Sequence, residues 1–335
     1  MSLPPKHPRR GFTLTELLVV IAIIAILASL GTVAVMRALG TARATAIKTE
    51  LDQIDAAMKQ YKTTYGSYPP CDLRNPATNS QLRQHMAMAF PRYNLARLQQ
   101  DLEAAGIDIQ NVRPDQALVF WLQGFSADPT SPILSVNGRQ IDAMGNPIGN
   151  PQKRTNNFFE FDQTRLIGHT TNTATLPDPA PSYFPVNARY TTSTSPTKTY
   201  PEWNSGAPPI VYFDSRFYEF AAPVAPSTEA RPNQFNLPGT PIFTDAGVAA
   251  PYWHDRNGNG STCANDDFNS QESWANPDSF QLIAAGGDGK YGQNPPPNDF
   301  ARRYPTGINY DLQTLTDDDN ATNFSSAARL GDDIP

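Results

Sequence analysis

The feature that most constrains this chain is a long uncharged apolar run near its N-terminus. The twenty residues from Leu17 to Met36 carry no charge, and nearly all of them are Leu, Ile, Val or Ala. As an α-helix rising about 1.5 Å per residue, the run is about 30 Å long, which matches the hydrocarbon core of a bilayer. It therefore predicts a membrane-spanning helix.

One acidic residue and a basic leader precede this run. Glu16 lies directly before Leu17, and Lys6, Arg9 and Arg10 lie upstream of it. A carboxylate at the edge of the hydrocarbon is costly unless it is paired, so Glu16 is predicted to be functional. Basic residues before an apolar helix predict a cytoplasmic N-terminus and export of the chain that follows.

These features together closely resemble the N-terminus of type IV pilins and of the pseudopilins of type II secretion systems. That pattern is a short basic leader, then Gly-Phe-Thr-Leu-x-Glu, then a hydrophobic helix, and it is matched here by Gly11, Phe12, Thr13, Leu14 and Glu16. The resemblance is specific over residues 6–36, weaker to about Pro69 and fragmentary beyond. It implies cleavage after Gly11 by a prepilin peptidase, N-methylation of Phe12 and assembly into a helical filament.

Two plainer interpretations of the segment are open. A secretory signal peptide would end in an Ala-x-Ala-like site after a shorter apolar stretch, whereas the Gly11–Phe12 junction precedes the run. A signal anchor needs only an uncharged helix of this length, and it gives no reason for Glu16. We therefore favour the pilin-like interpretation.

Glu16 has a physical role that can be argued from its position. Cleavage after Gly11 creates a positively charged amine on Phe12, four residues before Glu16. Opposite charges attract far more strongly in a low dielectric than in water. If subunits stack with a small axial shift, Glu16 of one subunit neutralises the amine of the next, and the pair sets the register. Phe12 and Glu16 are accordingly the predicted assembly residues.

The remaining chain has the composition of an exported, loop-rich domain. The 335 residues include 32 prolines, and only 17% are charged. The formal net charge is −6, and the leader alone carries three positive charges, so the mature chain is near −9. Such an acidic chain argues against nucleic-acid binding through bulk electrostatics.

The chain has two cysteines, Cys71 and Cys263. In an oxidising compartment a disulfide between them is expected, and it would join the end of the long helix to a distant loop. Two buried, unlinked cysteines are the alternative.

Beyond Met36 the helical pattern becomes amphipathic. Its apolar stripe recurs at spacings of three and four residues and consists of Ile47, Leu51, Ile54, Met58, Tyr61 and Tyr65. Gly66 and the Pro69–Pro70 pair predict the helix end. The predicted organisation is a leader (1–11), a polymerisation helix (12–36), an amphipathic helix (37–66) and an exported globular domain (67–335).

The resemblance implies an α+β fold, a pilin-like lollipop whose long helix packs on a small antiparallel sheet, here with long loop-rich insertions. The pattern of residues 80–105 predicts a helical region with an interruption at Pro91, and the apolar segment 117–122 is predicted to lie in the core. The predicted strands are Phe158–Phe161, Ile210–Phe213, Phe217–Phe220 and Phe280–Ala284. Residues 170–209 and 222–240 are rich in Pro, Thr, Ser and Asn, which predicts surface loops.

Two acidic stretches are candidate Ca²⁺ sites. The stretch 285–292 contains Gly-Asp-Gly and resembles, together with Asp-Asn-x-Thr-Asn downstream, the C-terminal calcium loop of major pseudopilins. The resemblance implies Asp288 with one or two of Asp317, Asp318 and Asp319 as ligands, although about twenty-five residues intervene where the family has a few. Repulsion among these carboxylates would be relieved by a divalent ion. A solvated acidic tail is the alternative.

The second stretch is a weaker candidate. Asp255, Asn257, Asn259 and Asp266 have the spacing of a calcium loop, with Gly260 at its turn position. The last ligand position holds Asp where the pattern has Glu, and no helices are predicted on either side. An Asn/Gly-rich surface turn is the alternative.

The motifs of common enzyme classes are missing from the sequence. The four histidines have no zinc-ligand spacing, and there is no Gly-x-Ser-x-Gly elbow, Walker loop or dinucleotide fingerprint. The sequence therefore gives an enzyme little support, and the resemblance implies a structural protein, a filament subunit closer to a type II secretion pseudopilin than to an adhesive pilin. Its expected partners are the prepilin peptidase, other pilin or pseudopilin subunits and the inner-membrane assembly platform.

The alternative is a membrane-tethered module that is displayed by the prepilin pathway without forming filaments. Trp203, Trp253 and Trp274 among polar loops would then serve a protein- or carbohydrate-binding surface. Both hypotheses place the chain in the bacterial inner membrane, as a single-pass protein with a periplasmic or cell-surface C-terminal domain.

Overall fold

The computed structural model describes most of the N-terminal half of the chain and several separate segments of the C-terminal half. The described residues are 14–107, 109, 112, 114–135, 138–167, 182–183, 185, 190–191, 202–203, 208–218, 247–255, 272–292, 302–305 and 318–333. The chain divides into two units, Met1–Ala42 and Arg43–Pro335, and the first is described from Leu14 onward.

The first described element is a single long helix, α1, which runs from Leu14 to Tyr65. It ends where the sequence predicts, because Gly66 follows with φ +86°, a conformation that side chains disfavour, and donates its N–H to the Lys62 carbonyl at 2.8 Å. Within the first unit every described side chain is exposed. The Ser29 and Thr32 hydroxyls donate to carbonyls of the preceding turn, both at 2.8 Å, so these two polar groups are satisfied within the helix.

The second unit buries the amphipathic stripe of α1. Five of the six predicted positions are at most 1% exposed, and Tyr65 is partly buried. The stripe shares one core with three short helices: α2 (Ser80–Ala89), α3 (Leu98–Ala104) and α4 (Pro114–Leu122). The predicted helical region 80–105 is interrupted around Pro91 and resumes in a 3-10 turn, Leu95–Arg97. All nine residues of α4 are buried, as expected for a core segment.

Twelve strands are described. They are β1 (Gln140–Ile141), β2 (Pro147–Ile148), β3 (Leu166–Ile167), β4 (Ser182–Tyr183), β5 (Tyr190–Thr191), β6 (Glu202–Trp203), β7 (Val211–Asp214), β8 (Tyr252–Asp255), β9 (Glu272–Trp274), β10 (Phe280–Ala284), β11 (Arg302–Pro305) and β12 (Ala321–Thr322). The central sheet is antiparallel and has the order β12-β10-β7. A second sheet has the order β11-β8-β9, in which β11 and β8 pair in parallel. The pairs β1–β2, β3–β4 and β5–β6 are antiparallel.

The central sheet is buried on both faces. Phe280 and Leu282 of β10 belong to the core that contains α1, whereas Ile283 belongs to a second core around β8 and β9. This division follows the two-residue alternation of a strand. Gln281 is also fully buried, and its amide bonds the N–H and carbonyl of Tyr252 at 2.7 and 2.9 Å. The fold is therefore α+β, with a long helix packed in the same core as a small antiparallel sheet.

Two of the four predicted strands are present. The prediction for Phe280–Ala284 is confirmed in full, and the predicted Ile210–Phe213 strand is found one residue later, as β7. Phe158–Phe161 is not a strand. The amides of Phe158 and Phe159 bond the carbonyl of Leu122 at 3.0 and 3.4 Å, so this aromatic segment closes the end of α4.

The fourth prediction, Phe217–Phe220, is wrong for the residues that are described. Ser215–Phe217 form a 3-10 turn, because the Asp214 carboxylate accepts the Arg216 amide at 3.3 Å and caps it. Residues 219 and 220 lie outside the described part. Of the two predicted loop regions, 170–209 contains the short strands β4, β5 and β6, and 222–240 lies outside the described residues.

Candidate functional site

The N-terminal candidate site is described from Leu14, so the predicted processing residues Gly11 and Phe12 lie outside the described residues. Glu16 is exposed in the first turn of α1. A carboxylate at that end is favoured by the partial positive charge of the helix N-terminus. Sequence reasoning placed Glu16 at the start of the apolar helix, and the structure agrees.

The apolar run that follows is exposed all around the helix. The large side chains between Leu17 and Met36 whose exposure is given are 43% to 66% exposed. Among the described residues, α1 is the one helix that is long and apolar enough to cross a bilayer. Such a surface is too apolar to face water and requires lipid or neighbouring helices around it.

The second candidate site lies at the turn that follows β10. Gly289 bonds the Gly286 carbonyl at 3.3 Å, and the Asp288 carboxylate accepts the Lys290 amide at 2.8 Å. The Asp288 amide in turn donates to Asp319 Oδ2 at 2.9 Å. The structure thus brings together two of the carboxylates that sequence reasoning selected, across a separation of 31 residues.

A close backbone contact fixes this arrangement. A Cβ atom on Gly286 would lie 2.0 Å from the carbonyl oxygen of Asp319, whereas a Cβ on Gly287 would lie 3.6 Å from its carboxylate. Residue 286 must therefore be glycine for Asp319 to approach the turn, and residue 287 need not be.

Burial changes the titration of both carboxyl groups of the pair. Burial raises the pKa of Asp288 to about 7, and the nearby charge of Asp319 adds to this shift. Burial also raises the pKa of Asp319, although the amides of Asp288 and Gly287 oppose the shift. Asp319 Oδ1 is buried and has no hydrogen-bond partner among the described residues. Carboxylate oxygens of this kind are the donors that Ca²⁺ prefers.

The other predicted ligands of this site are only partly described. The Asp318 carbonyl accepts the Gly331 amide at 2.7 Å, so this residue is held by the terminal 3-10 turn Leu330–Asp333. Asp317 lies outside the described residues. Within the part of the chain that the structure describes, no group of three or more His, Cys, Asp or Glu side chains is placed to hold a metal.

The two asparagines of the same stretch have structural contacts that sequence reasoning did not predict. Asn320 is fully buried, and its amide donates to the Tyr252 hydroxyl and the Tyr291 carbonyl, both at 3.0 Å. Asn323 accepts the Leu282 amide at 2.9 Å and donates to Asp55 at 3.0 Å. The available signal was the Asp-Asn-x-Thr-Asn pattern itself, whose side-chain amides here hold the chain while the Asp319 carboxylate accepts an amide of the turn.

The remaining candidate residues are mostly outside the described part. Asp255 is the last residue of β8, opposite Glu272 of β9, and Asn257, Asn259 and Asp266 are not described. Cys71 is buried in the core with α1, and Cys263 is not described. The weaker calcium loop and the disulfide therefore stay predictions.

Two of the three tryptophans of the predicted aromatic binding surface are buried. Trp253 and Trp274 are 5% and 7% exposed, and their rings pack edge to face with centroids 5.0 Å apart. They belong to the second core. Trp203 lies in β6.

Comparison with known proteins identifies the N-terminal segment. Residues 6–32 match the family model of the prokaryotic N-terminal methylation motif, a range that contains Gly11, Phe12 and Glu16. No curated protein and no solved structure matches the chain significantly.

Proposed function

Because the chain carries a prepilin-type N-terminal segment of the type IV pilin and pseudopilin kind, we propose that it is a structural subunit of a filament. The proposed filament is a type II secretion pseudopilus or a related type IV pilus-like fibre. One observation carries the proposal: the methylation motif overlaps a helix whose apolar surface is exposed on every described side.

Processing and assembly follow from this helix. Prepilin peptidase cleaves after Gly11 and leaves a methylated amine on Phe12. The Glu16 carboxylate of a neighbouring subunit then pairs with that amine inside the apolar bundle, where neither charge is tolerated alone. Further pilin or pseudopilin subunits and the inner-membrane assembly platform are the partners in this step.

The N-terminal helix and the motif indicate that the chain is anchored in the membrane by this single helix. We place its N-terminus in the cytoplasm and the unit that starts at Arg43 outside the inner membrane, because the charged leader lies on the side that is retained. The methylation motif is typical of structural proteins, and we assign no catalytic activity to the chain.

We further propose that Asp288 and Asp319 bind Ca²⁺, with Asp317 and Asp318 as neighbouring carboxylates. The residues fit the ion, because a buried oxygen of Asp319 lacks a hydrogen-bond partner among the described residues and the charge of Asp319 disfavours the ionised form of Asp288. When bound, the ion supplies the positive charge that the pair lacks. Asp255, Asn257, Asn259 and Asp266 remain the weaker alternative site.

Thermal unfolding tests the ion. We expect Ca²⁺ to raise the melting temperature of the full chain and a chelator to lower it again, since binding to the folded state alone stabilises it. The Asp288→Asn variant should lose this response, whereas Asn substitution of the exposed Asp278 should keep it. An identical melting temperature with and without Ca²⁺ would remove both stretches from consideration.

Assembly separates the filament subunit from the tethered binding module. The chain should be expressed with a prepilin peptidase and an assembly platform, and the membranes crosslinked. A ladder of multimers or visible fibres is the expected result. A chain that is processed and inserted but stays monomeric under these conditions would support the tethered module instead.

A further inference from the structure

Residues 318–323, which we call the terminal clasp, connect the acidic turn to helix α1. At one end of the clasp, Asp319 accepts the Asp288 amide at 2.9 Å. Its carbonyl oxygen lies so near the turn that a Cβ on Gly286 would be only 2.0 Å away. This end of the clasp is therefore seated directly on the turn.

The middle of the clasp is fixed by hydrogen bonds and by strand pairing. The fully buried Asn320 bonds Tyr252 and Tyr291, each at 3.0 Å. The next two residues form β12, which pairs with the last two residues of β10, immediately before the turn. The buried Asn320 side chain and the β12 pairing therefore fix the chain at two points between Asp319 and Asn323.

At its other end the clasp forms hydrogen bonds with side chains of α1. Lys48 donates its ammonium to the Thr322 carbonyl at 3.0 Å, and Asn323 donates to the Asp55 carboxylate at 3.0 Å. Lys48 and Asp55 are seven residues apart, so the two contacts lie about 10 Å apart along α1. Asn323 also accepts the Leu282 amide of β10, and the same side chain therefore joins helix and sheet.

We propose that the terminal clasp transmits cation binding at Asp288 and Asp319 to α1. A bound cation removes the repulsion between the two carboxylates, seats Asp319 on the turn and thereby holds Thr322 and Asn323 against the helix. Without the cation, repulsion lifts Asp319, and the contacts to Lys48 and Asp55 are released. This inference rests on the cation site of the proposed function. Since α1 also carries the prepilin-type segment, the clasp lets the external cation concentration act on the helix that assembles.

The chemical reactivity of Lys48 reports the state of the clasp. The Lys48 side chain is 11% exposed, whereas Lys62 on the same helix is exposed and lies over the Tyr68 ring, away from the clasp contacts, so it serves as an internal reference. The full chain in detergent would be acetylated at neutral pH with Ca²⁺ or with a chelator, and each lysine followed by mass spectrometry. We expect Lys48 to react roughly tenfold faster in chelator, as loss of one or two hydrogen bonds implies, and Lys62 to react equally in both.

Three variants sharpen the test. In Gly286→Ala the new Cβ displaces the Asp319 backbone, so Lys48 should react fast even with Ca²⁺. Gly287→Ala is the matched control, because its Cβ would meet Asp319 only at 3.6 Å, and it should behave as the unaltered chain. Asn323→Ala keeps both carboxylates, so calorimetry should still detect Ca²⁺ binding while Lys48 reacts fast in both conditions.

The outcomes distinguish the clasp from the site on which it rests. Calorimetric Ca²⁺ binding together with a Lys48 rate that does not change overturns the clasp alone. Equal Lys48 rates in Gly286→Ala and Gly287→Ala also overturn it. Absence of any Ca²⁺ binding overturns both the cation site and the clasp, and none of these results depends on filament assembly.

Discussion

Glu16 and His85 are two ionisable side chains in opposite environments, one exposed and one buried. Glu16 lies exposed at the start of an apolar helix, where a charge is costly unless it is paired. His85 is buried between the Tyr61 hydroxyl and the Ser67 hydroxyl, each 2.9 Å from one ring nitrogen. A neutral imidazole has one donor and one acceptor nitrogen, so both hydroxyls are satisfied without a charge.

The Glu16→Ala variant tests the assembly pair. We expect it to insert into the membrane as the unaltered chain does, because the apolar run is intact, and to form far fewer filaments, because the Phe12 amine of the neighbour is left unpaired. Membrane fractionation and filament yield measure the two effects, with Thr15→Ala as the neighbouring control. A normal filament yield from Glu16→Ala would refute the role.

His85 predicts a loss of stability in acid. Burial, together with the charge of Arg216, lowers the pKa of His85 to about 3. The unfolded chain therefore takes up a proton near pH 6.5 that the folded chain takes up only near pH 3, and stability falls as the pH drops through this window. The expected slope is about 1.4 kcal/mol per pH unit from this residue.

Denaturant unfolding at pH 4 to 7 checks this prediction. The His85→Gln variant has no imidazole to protonate, so its free energy of unfolding should depend less on pH than that of the unaltered chain. Equal slopes for the two proteins would contradict the assignment, whatever their absolute stabilities.

At the scale of elements, α1 is tied to the rest of its unit by a buried ion pair. Glu50 of α1 accepts the Arg165 guanidinium at 2.9 Å and the Tyr183 hydroxyl of β4 at 2.7 Å. Arg165 also lies over the Tyr183 ring, 4.6 Å from its centroid. Apolar packing gives the stripe of α1 no preferred register by itself, and we infer that this charged contact helps to fix which turn of the helix faces β3 and β4.

A double-mutant cycle tests the ion pair. Glu50→Leu should destabilise the unit by about 2 kcal/mol, because the largely buried Arg165 guanidinium loses the Glu50 carboxylate and keeps the Asp162 carboxylate at 3.4 Å. The paired variant Glu50→Leu/Arg165→Met should recover most of this loss, since it leaves no buried charge. Urea unfolding measures both, and a double variant as unstable as the sum of its single variants would contradict the coupling.

At the scale of the whole molecule, the two units differ in where their apolar side chains lie. In the first unit no described side chain is buried, whereas the second contains two cores on opposite faces of the central sheet. The predicted disulfide belongs to this scale too. A mobility difference between reduced and non-reduced samples would show that Cys71, at the end of α1, is linked to Cys263.

The mature N-terminus is the prediction that concerns the whole chain. In cells with an active prepilin peptidase, the purified protein should begin at Phe12 and carry one methyl group on its terminal amine. Intact-mass and peptide mass spectrometry measure both properties. A Gly11→Val variant should remain unprocessed, and a native chain that still begins upstream of Gly11 would contradict the proposed processing.

The sequence by itself determined the N-terminal half of this description. An uncharged run of twenty residues, a single carboxylate at its start and a three-four stripe ending at Gly66 require only local geometry to be interpreted, and α1 has the predicted end. The same holds for β10, whose five residues are all buried and are apolar except for Gln281.

Only the tertiary structure decided what the rest of the chain does. The aromatic residues Phe158–Phe161 have the composition of a strand, yet the free carbonyl at the end of α4 binds their amides. Trp253 and Trp274 look like a binding surface until β8 and β9 place them against each other. Asp319 can approach the turn at Asp288 because Gly286 has no side chain that would collide with the Asp319 backbone. Such contacts depend on which segments lie together across long separations, and hydrophobic periodicity carries no information on that.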